Sequence, residues 1–359
     1  MTKPVWYSYI FLIVCNFITA SAWSSIPYLN VKIASDLGRV QITGLDLKSE
    51  SGNKTESGLM QVAYNCGSKN NHNLLASISS PSGFLNWDDQ KYRGEFKIYQ
   101  KNNKCELVNY VSLEGYINSL LAKEMNKNWP IEALKAQAIA ARTYALFLKN
   151  KNKNKFYDLV SSEFYQVSGS FDDENVTTAK ATKLTFGEVL LNQNDKTLVP
   201  IFFHSKCGGF TWMPEYIWGN KVKGYKSVSC PYCHEHGTKE WEFKVNNRDF
   251  KKVITEMVKP DVLSIVPDKI NSPVVRYYDG GDQKQIKKSM LRKMLGIRDV
   301  MSNKFVIKKQ ANQLTIEGVG RGHGVGLCQF GAYEMAKQGK SYKEILKHYF
   351  PNFEIKKIY

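Results

Sequence analysis

The sequence predicts an α+β fold: a strand-rich first part, then a mixed core with a substrate groove. Three observations carry this expectation. Residues from Leu29 to about Val111 alternate apolar and polar side chains at period two. An alanine-laden helical stretch follows over 130–150, and a glycine-rich loop near the C-terminus leads into two well-signalled helices.

The strands come first. "VKIA", "RVQITGLDL", "LMQVAYN", "GEFKIYQ" and "KCELVNYV" each place their apolar residues on one face. Clusters of Gly, Asn and Ser separate them, and the polar stretch 49–57 reads as a connection. Ser112 then makes an N-cap for a helix through "LEGYINSLLA", with Glu114 placed to favour its dipole. Glu124 and Met125 close that run. After "NKNW", Pro130 is suited to be the first residue of "PIEALKAQAIAARTYALFLKN". Its alanines favour helix and let neighbouring backbones approach closely.

Further on, 246–258 and 284–295 look helical, and "NKFVIKKQANQLTIEGVG" reads as a hairpin. "GVGRGHGVG" is a glycine loop preceding a helix through "AYEMAKQ", which Gly339 closes. Ser341 and Glu344 form a capping box for "YKEILKHYF", and Pro351 stops it.

With 359 residues, 43% of them hydrophobic, the chain can bury a substantial core. Fifty basic against 33 acidic residues give a net charge of +17, which suits an anionic partner such as a cell wall. Nucleic acid is not expected, because the lysines are scattered and neither zinc-finger spacing nor an aromatic RNA-binding signature occurs.

The first 22 residues read as a secretory signal peptide. Lys3 supplies the positive start, residues 5–18 the apolar run, and Ala20 and Ala22 an A-x-A site before Trp23. That run is short for a comfortable membrane span. Val14 before Cys15 does not fit a lipid-attachment site. The expected mature protein is exported, to a periplasm or to the wall and exterior, with no stable membrane span. The chain thus divides into a leader over 1–22, a strand-rich region over 23–90, and a larger domain over 91–359.

Six cysteines remain after leader removal. Cys66 and Cys105, both in strand-like surroundings, are candidates to pair. His204-x-x-Cys207 and Cys230-x-x-Cys233 are two chelating pairs with tetrahedral zinc spacing, one histidine and three thiolates. A structural zinc ion is the expected cofactor, with no organic one; disulfides within or between these pairs are the alternative. His234 and His236 could replace His204.

Three blocks share one further implication. "NYVSLEGYINSLLAKEMNKNWPIEALKAQAIAARTYAL", "FFHSKCGGFTWMPEYIWG" and "GRGHGVGLCQFGAYEMAKQGKSYKEILKHYF" together resemble the SpoIID family, lytic transglycosylases acting on peptidoglycan. "LRKMLGIRDVMSNKFVI" also resembles the family's segment before the glycine loop, so the resemblance covers about 90–359, in order.

The resemblance implies that Glu124, of the "E-M" pair, is the catalytic acid. Breaking a glycosidic bond needs a proton on the leaving oxygen, and an apolar setting such as Leu121, Ala122, Met125 and Trp129 could keep a carboxyl group protonated. Ordinary glycosidases add a second carboxylate. A lytic transglycosylase needs none, because the muramic acid's own C6 hydroxyl attacks the anomeric carbon, leaving a 1,6-anhydro end. Substrate contacts are then expected from Arg142, Tyr165, Ser205, His323 and Gln329. For Arg142 the alternative is a structural ion pair, and for His323 and Gln329 it is locking the loop. "SSEFYQV" departs from the family pattern at Glu163 and Val167. Cys328 stands where the family commonly has serine, and reads as a packed small side chain; a His323–Cys328 nucleophilic dyad is a remote alternative. The expected partners are peptidoglycan glycan strands and, in relatives, a cell-wall amidase. Relatives that enhance an amidase without cutting glycans share these motifs and form the rival reading.

Overall fold

The computed structural model describes residues 25–67, 73–161, 169–234, 241–250, 252, 264–266, 269–279, 281–310 and 313–359. The signal-peptide reading and, after Ser161, the "SSEFYQV" segment lie outside these residues. The fold is α+β, rich in strands.

The first part is one large sheet. Its strands are β1 (Tyr28–Leu37), β2 (Arg39–Ser51), β3 (Lys54–Asn65), β4 (Asn73–Ser79), β5 (Phe84–Trp87), β6 (Gln90–Arg93), β7 (Glu95–Lys101) and β8 (Lys104–Ser112). They lie in the order β6-β5-β2-β4-β7-β8-β1, with β3 on the side of β2. Alternation explains the faces: Val40, Ile42, Leu47, Ile78, Phe96, Ile98 and Leu107 point into a single core. Cys66 and Cys105 form a disulfide beside it. The stretch 49–57 is not a separate connection: β2 and β3 run through it and pair down to Ser51 and Lys54. Its polar side chains sit on an exposed hairpin end, so hydrophobic alternation gives no strand signal there. The sheet continues to Ser112, and residue 90 is the first of β6.

Ser112 caps α1 (Leu113–Glu124) by accepting from the Gly115 amide at 3.2 Å. The next helix, α2 (Ile131–Lys151), opens one residue after Pro130, which occupies the N-cap position. Its alanines place it between two cores. Leu134, Ala138, Ala141 and Ala145 pack with Tyr116, Ile117, Leu120 and Leu121 of α1. Ala133, Ala136, Ile139 and Ala140 pack with Leu327, Cys328, Ala332 and other residues of the C-terminal part. Small side chains on opposite faces allow this close double packing. The helix carrying Glu124 and the glycine-loop region are therefore held against one common wall.

Short elements follow: β9 (Leu159–Val160), which extends the sheet beside β1, α3 (Val176–Leu184), β10 (Glu188–Asn192), β11 (Phe203–His204) and α4 (Pro214–Trp218). A smaller apolar cluster gathers β12 (Trp241–Asn246), β13 (Ser264–Ile265), β14 (Val274–Asp279), β15 (Asp282–Lys287), α5 (Lys288–Leu295), β16 (Phe305–Gln310) and β17 (Gln313–Gly318). The expected hairpin is β16–β17. The expected helix over 284–295 is shorter: residues up to Lys287 are strand, paired with β14. There cross-strand pairing outweighs the helix preference of a lysine- and glutamine-rich run. Asn246 likewise ends β12; helix occupies 247–250, and most of the remainder to 258 lies outside the described residues.

The chain closes with β18 (Leu327–Cys328), α6 (Gln329–Lys337), α7 (Tyr342–Tyr349) and β19 (Phe353–Lys357). Strands β11 and β18 pair in parallel, and β10 pairs with β19. The capping box of Ser341 and Glu344 is present, and Gly339 takes a φ of 81° just past α6. Among the described residues no helix is long and apolar enough to cross a membrane.

Candidate active site and thiol cluster

Glu124 is the last residue of α1 and is half-buried. The chain turns extended at Met125, whose amide still reaches the Leu121 carbonyl at 2.9 Å. The buried Tyr116 lies close enough to feel the charge of Glu124. Its phenol is pushed well above the usual range, first by burial and then by Glu124 and Tyr144. The loop after Glu124 carries Trp129, which packs on Phe330 and Tyr333 of α6 at 5.0 and 4.9 Å between ring centres.

A line of rings leads onward from Tyr144. It contacts Phe202 at 5.7 Å, Phe202 contacts Trp218 at 4.4 Å, and Trp218 lies 5.1 Å from His323. Trp218 keeps 45% of its surface exposed beside these partners. Sequence reasoning did not single it out. Its only signal was the tryptophan of "YIWG", where Gly219 at φ 90° ends α4 abruptly.

The glycine loop adopts the conformation its composition suggests. Gly320, Gly322, Gly324 and Gly326 all have positive φ, and a side chain at Gly324 would press to 2.6 Å from the Trp212 ring. The histidines lock this loop. His204 Nδ1 lies 3.0 Å from the Val325 carbonyl, and His323 Nδ1 accepts from the Val325 amide at 3.0 Å. Burial lowers both: His204 to about 4, and His323 well below the usual histidine range, with His204 and Arg292 as further causes. Both rings are therefore neutral at pH 7.

The thiols gather elsewhere than expected. Cys207, Cys230, Cys233 and Cys328 are all buried, and their sulfur atoms lie within 4.8 Å of one another. His204 is not in this group; its Nδ1 faces the Val325 carbonyl. Of the expected set of His204, Cys207, Cys230 and Cys233, the structure brings the three cysteines together, with Cys328 beside them in place of His204. Spacing along the chain cannot reveal this, because Cys328 joins through the parallel pairing of β18 with β11, which sets it opposite His204. Cys328 is fully buried and packed in the core, as expected, and stands beside the other three thiols. The His234 side chain and His236 lie outside the described residues.

Arg142 is corrected as well. It is fully buried and donates from Nε and Nη2 to the two carboxylate oxygens of Glu114, each at 2.8 Å. Nη1 reaches the Glu188 carbonyl at 3.0 Å, and the Tyr359 hydroxyl donates to Glu114. A guanidinium so enclosed is structural and has no face for a glycan. Gln137 is fully buried too, and Gln329 is buried as the first residue of α6. Ser205 is half-buried, and its carbonyl accepts from the Phe330 amide at 3.1 Å. Tyr165 lies outside the described residues. Among the described residues, open depressions of about 380 and 340 Å³ lie at β10, α7 and β19 and on the first sheet; Glu124 lines neither.

Comparison with known proteins bears on these features. The family described as Stage II sporulation protein, SpoIID, matches residues 101–191, which include α1, Glu124 and α2. An uncharacterised protein of Brachyspira hyodysenteriae is 34% identical over 270 residues, covering 74% of this chain and 72% of its own. A stage II sporulation protein D of Bacillus amyloliquefaciens is 30% identical over 284 residues, covering 72% of this chain and 77% of its own. An amidase enhancer of Bacillus subtilis is 26% identical over 288 residues, covering 66% of this chain and 39% of its own. At 30% identity or more, over more than two thirds of both relatives, the chain belongs to the SpoIID family.

Proposed function

We propose that the protein is an exported lytic transglycosylase that cleaves the MurNAc–GlcNAc bond of peptidoglycan, with Glu124 as its acid and base. The observation carrying this reading is the position of Glu124: half-buried at the C-terminal end of α1, and inside the segment that matches the family. Glu124 would protonate the glycosidic oxygen as the bond to the anomeric carbon breaks. The resulting carboxylate would accept the proton of the C6 hydroxyl as that oxygen bonds to the same carbon. Proton and charge balance with one carboxylate and no water. Trp218, exposed and backed by Phe202 and His323, offers an aromatic face on which a sugar ring can stack. The net charge of +17 favours an anionic wall.

The similarity to an amidase enhancer supports a second reading, in which the chain binds wall glycans and stimulates a partner amidase without cutting them. One experiment separates the two. Purified peptidoglycan, with and without stem peptides, is digested with wild type and Glu124→Gln, and the released sugars are analysed by mass spectrometry. Wild type should release 1,6-anhydro sugars, and Glu124→Gln should release about 10²–10⁴-fold less while keeping its fold. Undiminished release by Glu124→Gln would remove Glu124 from the chemistry. No release by wild type, together with stimulation of an added amidase, would establish the enhancer reading.

A further inference from the structure

The four buried cysteines come from three separated segments. Cys207 follows β11, Cys230 directly precedes a 3₁₀ turn over Pro231–His234 that contains Cys233, and Cys328 is the N-cap of α6. They are free thiols here, whereas Cys66 and Cys105 of the same chain are joined. Their spacing suits a metal. Four thiolates at about 2.3 Å from one tetrahedral zinc stand roughly 3.8 Å apart. The Cys207 and Cys233 sulfurs are 3.4 Å apart, and all four fall within 4.8 Å.

Hydrogen-bond donors face the sulfur atoms. Cys328 Sγ accepts from the amides of Cys207 at 3.3 Å and Gly331 at 3.4 Å. The Tyr349 hydroxyl lies 3.1 Å from Cys230 Sγ. The first turn of α6 faces the group through the Gly331 amide. The buried Lys304, held by the Gly208 carbonyl at 3.4 Å and by that of Phe210, adds a cation next to Cys207. Four thiolates with a divalent ion carry two net negative charges, and a buried lysine with aligned amides offsets part of them. Room is also reserved: a side-chain carbon at Gly331 would come within 2.8 Å of Cys230 Sγ.

We propose that Cys207, Cys230, Cys233 and Cys328 bind one zinc ion as a tetrathiolate centre that excludes His204 and pins the glycine loop and the first turn of α6 to the body of the protein. A tetrahedral all-sulfur set selects zinc or iron, and a redox-inert ion suits a chain that carries a disulfide. The centre would also support the wall beside Glu124, because Trp129 leans on Phe330 and Tyr333 of the same helix. The metal assignment does not depend on the glycan-cleaving reading.

The test uses the full exported chain purified without chelator. Elemental analysis should find about one zinc per chain, retained in His204→Ala and lost in Cys328→Ser. X-ray absorption on the wild type should show four sulfur neighbours at about 2.3 Å and no nitrogen; this stands even if Cys328→Ser fails to fold. Cobalt substitution should give the intense red absorption of a tetrahedral sulfur site. Three results would overturn the proposal: no metal together with a disulfide mapped among these cysteines, a mixed sulfur–nitrogen shell with metal lost in His204→Ala, or iron in place of zinc.

Discussion

Arg142 and Glu114 meet as a doubly hydrogen-bonded pair, with Nε and Nη2 each 2.8 Å from a carboxylate oxygen, and this pair ties α2 to the first turn of the helix that ends in Glu124. Removing one partner of a buried pair leaves the other charged and uncompensated, at a cost of about 3–5 kcal/mol. Arg142→Met should lower stability by that amount in denaturant unfolding. Adding Glu114→Gln should recover part of it. A variant that unfolds like wild type but no longer binds glycan would return Arg142 to the substrate.

Trp218 should act on binding more than on chemistry. Trp218→Ala exposes Phe202 and removes a half-exposed ring beside His323. On glycan substrates KM should rise roughly 5–30-fold, equivalent to one or two kcal/mol, with kcat little changed. Equal losses in kcat and in kcat/KM would instead mean that the ring acts only in the transition state.

Gly331 reverses an ordinary rule. Within a helix, alanine is normally favoured over glycine by about 1 kcal/mol. Here a side-chain carbon would overlap the Tyr349 hydroxyl and crowd Cys230. Gly331→Ala should therefore lower both the melting temperature and the bound zinc. Gly339→Ala, with open space around it, should show only the cost of its left-handed backbone and keep the metal.

The buried His204 makes stability sensitive to mild acid. His204 titrates near 4 when folded, because burial disfavours its charged form, against about 6.5 when unfolded. Above pH 6.5 neither state is protonated and nothing is lost. As pH falls from 6.5 towards 4 the unfolded chain takes up a proton that the folded chain refuses, so stability declines by up to about 3 kcal/mol. His323 acts in the same direction. Unfolding free energies measured from pH 7 to pH 4.5 should fall less steeply for His204→Asn, compared at equal metal content. Parallel curves would show that His204 is protonated in the fold.

The sequence by itself determined the α+β class, the strand-rich character of 29–111, the caps of α1 and α7, the local hairpin of β16 and β17, and the family with Glu124 in its motif. These are readable because alternation, caps and turn residues act within a few positions of the chain. Tertiary structure decided the rest. Arg142 looks the same in sequence whether it meets a glycan or Glu114, and only the packing of α2 on α1 encloses it. His204 and Cys328 are 124 positions apart, yet β11 and β18 set them opposite each other, and that register gives the fourth sulfur to the thiol group. Trp218 gains meaning only once Phe202 and His323 stand behind it. Contacts between distant segments are set by how whole faces pack, and no local pattern encodes them.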